Sequence, residues 1–143
     1  MTRIACLAIL LGAVLCRPVD AAAADLRVVV EGLRNDKGHV NFGLYDDADK
    51  FPGRAGVIQS GRAKIEGGRA LFIFRDLKPG RYAVSLFHDE NDDGQFNRSL
   101  IGLPLEGYGF SNNPRVVLSA PSFDACAITV GDAGAETTIK IAY

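Results

Sequence analysis

With 143 residues the chain has room for one domain of ordinary size, and 16 basic against 17 acidic residues leave it close to neutral at −1. No basic run or Lys/Arg stripe breaks that balance, which speaks against nucleic acid as a partner. Beyond residue 24 no apolar stretch is long enough for a membrane span, which takes about 20 residues as a helix.

The first segment reads as a signal peptide. Arg3 gives a positive start, Ile4 to Leu15 is an uncharged apolar run, and Asp20-Ala21-Ala22-Ala23-Ala24 supplies the small residues a signal peptidase needs. A lipid anchor at Cys16 fits poorly, because the bulky Leu15 and Val14 precede it. The expected organisation is therefore residues 1–24 as signal and 25–143 as a single exported domain, periplasmic or secreted. Cleavage removes Cys6 and Cys16, so Cys126 has no partner for a disulfide within the chain. Its apolar setting, Ala125-Cys126-Ala127-Ile128, points to a buried strand residue and away from a reactive thiol.

The mature part reads as strands separated by turn chemistry. Leu26 to Glu31 is a β-branched run, Asn35-Asp36-Lys37-Gly38 is a turn, and Val40, Phe42 and Leu44 then alternate with smaller or polar residues. Period two predicts half-buried strands, and the two runs are expected to pair as a hairpin. Residues 46–56 read as a loop, Val57 to Ile65 as a third strand and Arg69 to Phe74 as a fourth. Pro79-Gly80 sets a tight turn before Arg81 to His88, where both faces are apolar enough for a central strand. Residues 89–113 look irregular. Arg115 to Leu118, Phe123 to Val130 and Thr137 to Tyr143 are further strand candidates; the last is expected to pair inside the sheet, with Ile139, Ile141 and Tyr143 facing inward. No helical periodicity of any length appears, so the fold expected is an all-β antiparallel sandwich of about seven strands.

Two stretches carry a resemblance. His88-Asp89-Glu90-Asn91-Asp92-Asp93-Gly94 and Gly102 to Asn113, together with the Pro79-Gly80-Arg81-Tyr82-Ala83 turn and Pro121-Ser122-Phe123-Asp124-Ala125, closely resemble the small exported bacterial proteins known as domain of unknown function 2141. The resemblance implies an immunoglobulin-like or prealbumin-like Greek-key sandwich with no established activity. The Leu77 to Tyr82 stretch is also similar to carboxypeptidase regulatory-like domains, which serve as accessory or adhesive modules.

The residues offer one candidate metal loop. Calcium takes several hard oxygen ligands, and Asp89, Asn91, Asp93, Gln95 (through its carbonyl) and Asn97 fall at positions one, three, five, seven and nine of an EF-hand-like loop, with Gly94 at the sharp turn. Position twelve is Leu100, where a bidentate Glu would close the shell, so Glu90, Glu106 or water has to complete it. The same run also reads as an Asx-rich cap whose side chains bond to nearby amides.

Zinc finds no paired Cys or His spacing. His88 is expected as a structural hydrogen-bonding partner, with a ligand role as the alternative. Gly109-Phe110-Ser111 begins like a nucleophile elbow but lacks the closing Gly and the strand-to-helix setting. The expectation is a non-catalytic accessory or binding module, with His88, Glu106, Tyr108, Phe110 and Asn112 as a candidate surface for a protein, peptide or glycan. The alternatives are a purely structural domain and a hydrolase that uses Glu90, Glu106 and His88.

Overall fold

The structure is a computed structural model that describes residues 23–117 and 119–143. The expected signal segment lies outside the described residues up to Ala22. Ala24, the last residue of that segment, begins the first strand and is buried.

Eight strands form two facing sheets among the described residues. They are β1 (Ala24–Glu31), β2 (His39–Tyr45), β3 (Gln59–Lys64), β4 (Arg69–Leu77), β5 (Gly80–Asp89), β6 (Tyr108–Phe110), β7 (Ile128–Val130) and β8 (Ala135–Lys140). One sheet has the order β4-β1-β8; the other runs β3-β2-β5-β6, with β7 beside β6 along the same edge of β5. An all-β sandwich is what forms. All pairs are antiparallel except β1 and β8, which run parallel from Leu26↔Ala135 to Glu31↔Lys140.

The alternation read from the sequence builds the core. Leu26, Val28 and Val30 of β1 face Val40, Phe42 and Leu44 of β2 and Val84 and Leu86 of β5, with Phe74 and Ile139 completing the layer. Burying such side chains stabilises by roughly 1.5–3 kcal/mol each.

Four local expectations are corrected. β1 and β2 do not form a hairpin: they lie in different sheets, and the chain crosses the core between them. The Asn35–Gly38 turn serves that crossing, and Asp36 spends its carboxylate on the amides of Gly67 and Gly68 at 2.9 and 2.8 Å. Residues 115–117 are not a strand. Phe123 to Val130 is not one strand but a helical turn, α1 (Phe123–Cys126), followed by β7; Ser122 caps it by accepting from the Ala125 amide at 3.3 Å. The last strand is an edge of the three-stranded sheet, and Tyr143 is 49% exposed because its backbone has left the ladder.

The central position expected for Arg81–His88 is borne out, since β5 pairs with β2 on one side and with β6 and β7 on the other. Its odd-numbered residues point away from the core. α1 covers one end of that outer face, burying Ala83, Tyr45, Phe123 and Cys126 against Phe51 and Phe110. The rest of the face stays open.

A candidate cation loop and an open sheet face

β5 ends at Asp89, whose side chain turns to the outer face because His88 before it turns inward. Asp89 is fully buried. Its Oδ1 accepts from the Asp93 amide at 3.1 Å, and its Oδ2 from the Gly94 amide at 2.9 Å and from Asn41 Nδ2 at 2.8 Å. Gly94 has φ +73°, the left-handed conformation that lets the loop turn sharply without a Cβ penalty. Asp93 accepts from the Gln95 amide at 2.8 Å, Asn97 Nδ2 at 3.0 Å and Asn91 Nδ2 at 3.1 Å. Those bonds, the Gln95 amide foremost, hold its carboxyl below the ordinary range. Asp92 faces the other way and ties the loop to β2 and β3 through His39 at 2.6 Å and Arg62 at 2.7 Å.

Four of the five predicted loop ligands, Asp89, Asn91, Asp93 and Asn97, are thus joined in one hydrogen-bonded cluster, and Gln95 enters it by its amide. Leu100, at the twelfth position, is fully exposed. The chain instead folds back over residues 98–104, closed by the Leu105 amide on the Asn97 carbonyl at 3.0 Å. That turn returns Glu106 to the loop. Glu106 is 6% exposed; its Oε2 accepts from the Asn97 amide at 3.0 Å, and its Oε1 has no hydrogen-bond partner among the described residues. Burial pushes its carboxyl up, and the negative charges of Asp89 and Asp93 push further upward, while the amides of Asn97 and Glu90 offset part of this. Among the described residues no three His, Cys, Asp or Glu side chains gather into a group that could hold a metal ion.

The hydrolase trio is not assembled around an opening. His88 is fully buried, with Nδ1 2.7 Å from the Tyr143 hydroxyl and Nε2 2.8 Å from the Lys37 carbonyl. Both ring nitrogens are thus occupied by partners within the chain. Glu90 Oε1 lies 3.9 Å from His88 Nδ1, and its carboxylate pairs with Arg34 and accepts from Asn35 at 3.0 Å. Burial raises the Glu90 carboxyl, but the Asn35 and Arg34 bonds outweigh it and leave it lowered. Glu106 is turned to the cation loop instead. Ser111 is fully buried; it accepts from the Val84 amide at 2.9 Å and donates to the Cys126 carbonyl at 2.5 Å, which pins α1 to β5.

Tyr108 and Phe110 do share a surface, whereas Asn112 does not join them. Asn112 donates to the Ala127 carbonyl at 2.8 Å and fastens the chain leaving α1. The two aromatics line an open groove of about 820 Å³ on the outer face of the five-stranded sheet, along with Asn41, Ser85, Phe87 and Phe96. Arg54, Arg62 and Arg98, none of which the sequence had suggested, also line it. No linear motif marks such a groove, because four strands and three connecting segments contribute to it.

Residues 28–140 match a family model described as an uncharacterized protein conserved in bacteria, DUF2141. The chain belongs to that family. The match spans every strand from β2 to β8, the cation loop and the groove, and all but the start of β1. No curated protein and no solved structure matches the chain, so the likeness to immunoglobulin or prealbumin sandwiches stays an expectation from sequence. Among the described residues no helix is long and apolar enough to cross a membrane.

Proposed function

We propose that this DUF2141 chain is an exported, non-catalytic binding module whose Asp89–Asn97 loop holds a hard cation, with calcium the best chemical fit. One observation carries the reading: a nine-tenths buried carboxylate, Glu106, has an unpartnered oxygen beside two further carboxylates. Burying an ionised carboxylate without a partner is costly, and adding like charges makes it worse. A divalent cation reverses both terms. Asp89, Asn91, Asp93, the Gln95 carbonyl and Asn97 supply the alternating oxygens, and Glu106 stands in for the missing twelfth ligand. Such a cation would tie the end of β5 to the returning 98–106 turn. The binding partner in this reading is a protein, peptide or glycan.

A thermal melt in millimolar calcium against excess chelator tests it. At ~100-fold saturation, linkage adds about 2.7 kcal/mol, on the order of 10 °C for a domain of this size. The shift should vanish in Asp93→Ala and in Glu106→Gln. Equal melting with and without calcium would overturn the reading.

A second reading has its own support. The loop already closes its bonds from Asp89 and Asp93 to backbone amides without any ion, as an Asx-rich cap does. In that case Asp93→Ala lowers the melting temperature equally in both buffers.

A further inference from the structure

We propose that the open groove on the outer face of the five-stranded sheet is a binding site for an acidic oligosaccharide, its rings lying against the aromatics and its carboxylates on the arginines. The groove shares Gly94, Gln95 and Phe96 with the Asp89–Asn97 loop, but none of that loop's carboxylates lines it. The groove's volume, about 820 Å³, is within the roughly 300–1,000 Å³ typical of sites that enclose a small ligand.

The charge pattern chooses the class of ligand. The chain as a whole is slightly acidic, yet among the described residues that line the groove there are three arginines and no carboxylate. Arg62 is committed to Asp92. Arg54 has no acidic partner among the described residues, and Arg98 stands over the Phe96 ring at 5.1 Å. Two guanidinium forks therefore remain to meet carboxylates, and their planar geometry suits bidentate contact.

Aromatic rings fill the space between. Phe87, Phe96, Tyr108 and Phe110 follow one another with centroid separations of 5.6, 6.1 and 6.2 Å. All four are half-buried, so each still presents surface. The floor is shallow and polar: register sets Ser60, Gly43 and Ser85 in one row across β3, β2 and β5. The Tyr108 hydroxyl and the Ser60 hydroxyl have no protein hydrogen-bond partner among the described residues. A ligand with apolar ring faces, hydroxyls and anionic groups satisfies all of these at once.

An extended acidic peptide fits less well. It gains affinity on a sheet by adding main-chain bonds at an unpaired edge. The central strands of this groove, β2 and β5, are paired on both sides, and the free edge of β3 lies at the side of the sheet opposite Tyr108 and Phe110 of β6.

The test is calorimetric titration of the purified chain with oligomers of a hexuronic acid, run in parallel in chelator and in millimolar calcium because Gln95 and Phe96 belong to both the loop and the groove. Neutral hexose oligomers of equal length, a sulfated oligomer and a poly-glutamate peptide form the other arms. The result expected is uronate binding that falls with added salt, at least tenfold tighter than the neutral oligomer. Arg98→Ala and Tyr108→Ala should each weaken it about tenfold, a loss of ~1.4 kcal/mol, while far-ultraviolet circular dichroism stays unchanged. A sulfated oligomer that binds as well as the uronate keeps the proposal and names sulfate as the alternative anion. Absence of uronate binding, equal binding of the neutral oligomer, or preference for poly-glutamate would overturn it. Absence of uronate binding in both buffers overturns this proposal whatever the melt shows, and a melt with no calcium shift leaves the titration in chelator untouched.

Discussion

The two faces of the five-stranded sheet are made by the same strands under opposite rules. On the inner face Val40, Phe42, Leu44, Val84 and Leu86 are buried against the other sheet, and nothing there is polar until His88 at the end of β5. On the outer face the neighbouring positions are Asn41, Gly43, Tyr45, Ala83, Ser85, Phe87 and Asp89. α1 covers Tyr45 and Ala83; the others face the groove or the acidic loop. Small and polar residues such as Asn41, Gly43 and Ser85 add little to packing, so their presence calls for a reason outside stability. The inner face makes the fold, and the outer face is where chemistry is available.

The largest effect should come from the inner face. Leu44 is fully buried between the sheets. Leu44→Ala loses its transfer energy and leaves a cavity, about 3–4 kcal/mol. Urea unfolding followed by circular dichroism measures this. A loss below ~1 kcal/mol would mean that the two sheets close over the gap and that the faces differ less than their burial implies.

How much of this was legible follows the same division. The inner face could be read because period-two alternation writes burial directly into Val40-Asn41-Phe42-Gly43-Leu44. Strand partners could not be. Asn35 to Gly38 has the chemistry of a turn, but a turn that crosses the core and one that closes a hairpin use the same residues. The cation loop was visible because its spacing is local. Glu106 could be named only as one of three ways to complete the loop, beside Glu90 and water, since it arrives through a tertiary turn that no fixed offset encodes. The groove was invisible altogether; Arg54, Arg62 and Arg98 meet only once the strands are in register. Tyr108 and Phe110 could be picked out as aromatics in a flexible segment, but not as members of β6.

The covered end of the outer face gives an intermediate effect. Cys126 is fully buried under α1, and burial pushes its thiol up to about 11. An acid whose folded value is raised binds its proton more tightly in the native state. Stability is therefore complete below the unfolded thiol value near 9 and declines as pH rises from there toward 11. The slope is at most ~1.4 kcal/mol per pH unit. Urea unfolding of the wild type and Cys126→Ala across that window isolates it, since the variant lacks this contribution to the slope. The native thiol should also resist alkylation at pH 8 and react once the chain is unfolded. Rapid alkylation of the folded chain would place this end with the open half of the face.

The smallest effect is the most discriminating, because it compares two glycines on adjacent strands. Gly61 of β3 points inward, where an added Cβ would lie 1.9 Å from Cζ of Phe72, a ring stacked on Phe42 at 5.2 Å. Gly43 of β2 points outward, and there the nearest atoms to a Cβ are the Tyr45 hydroxyl at 3.3 Å and Val57 Cγ2 at 3.4 Å. Gly61→Ala must displace a packed aromatic and should cost about 1–2 kcal/mol. Gly43→Ala meets only near-contact distances and gains from restricting the unfolded strand, so its net change should stay within ~0.5 kcal/mol. A denaturant midpoint for each variant decides it. If the two glycines cost the same, the open face is packed as tightly as the core, and its hollow has no room for a ligand. If only Gly61 is costly, the Tyr45 ring and Val57 over Gly43 give way by a few tenths of an ångström, and the outer face is packed more loosely than the core.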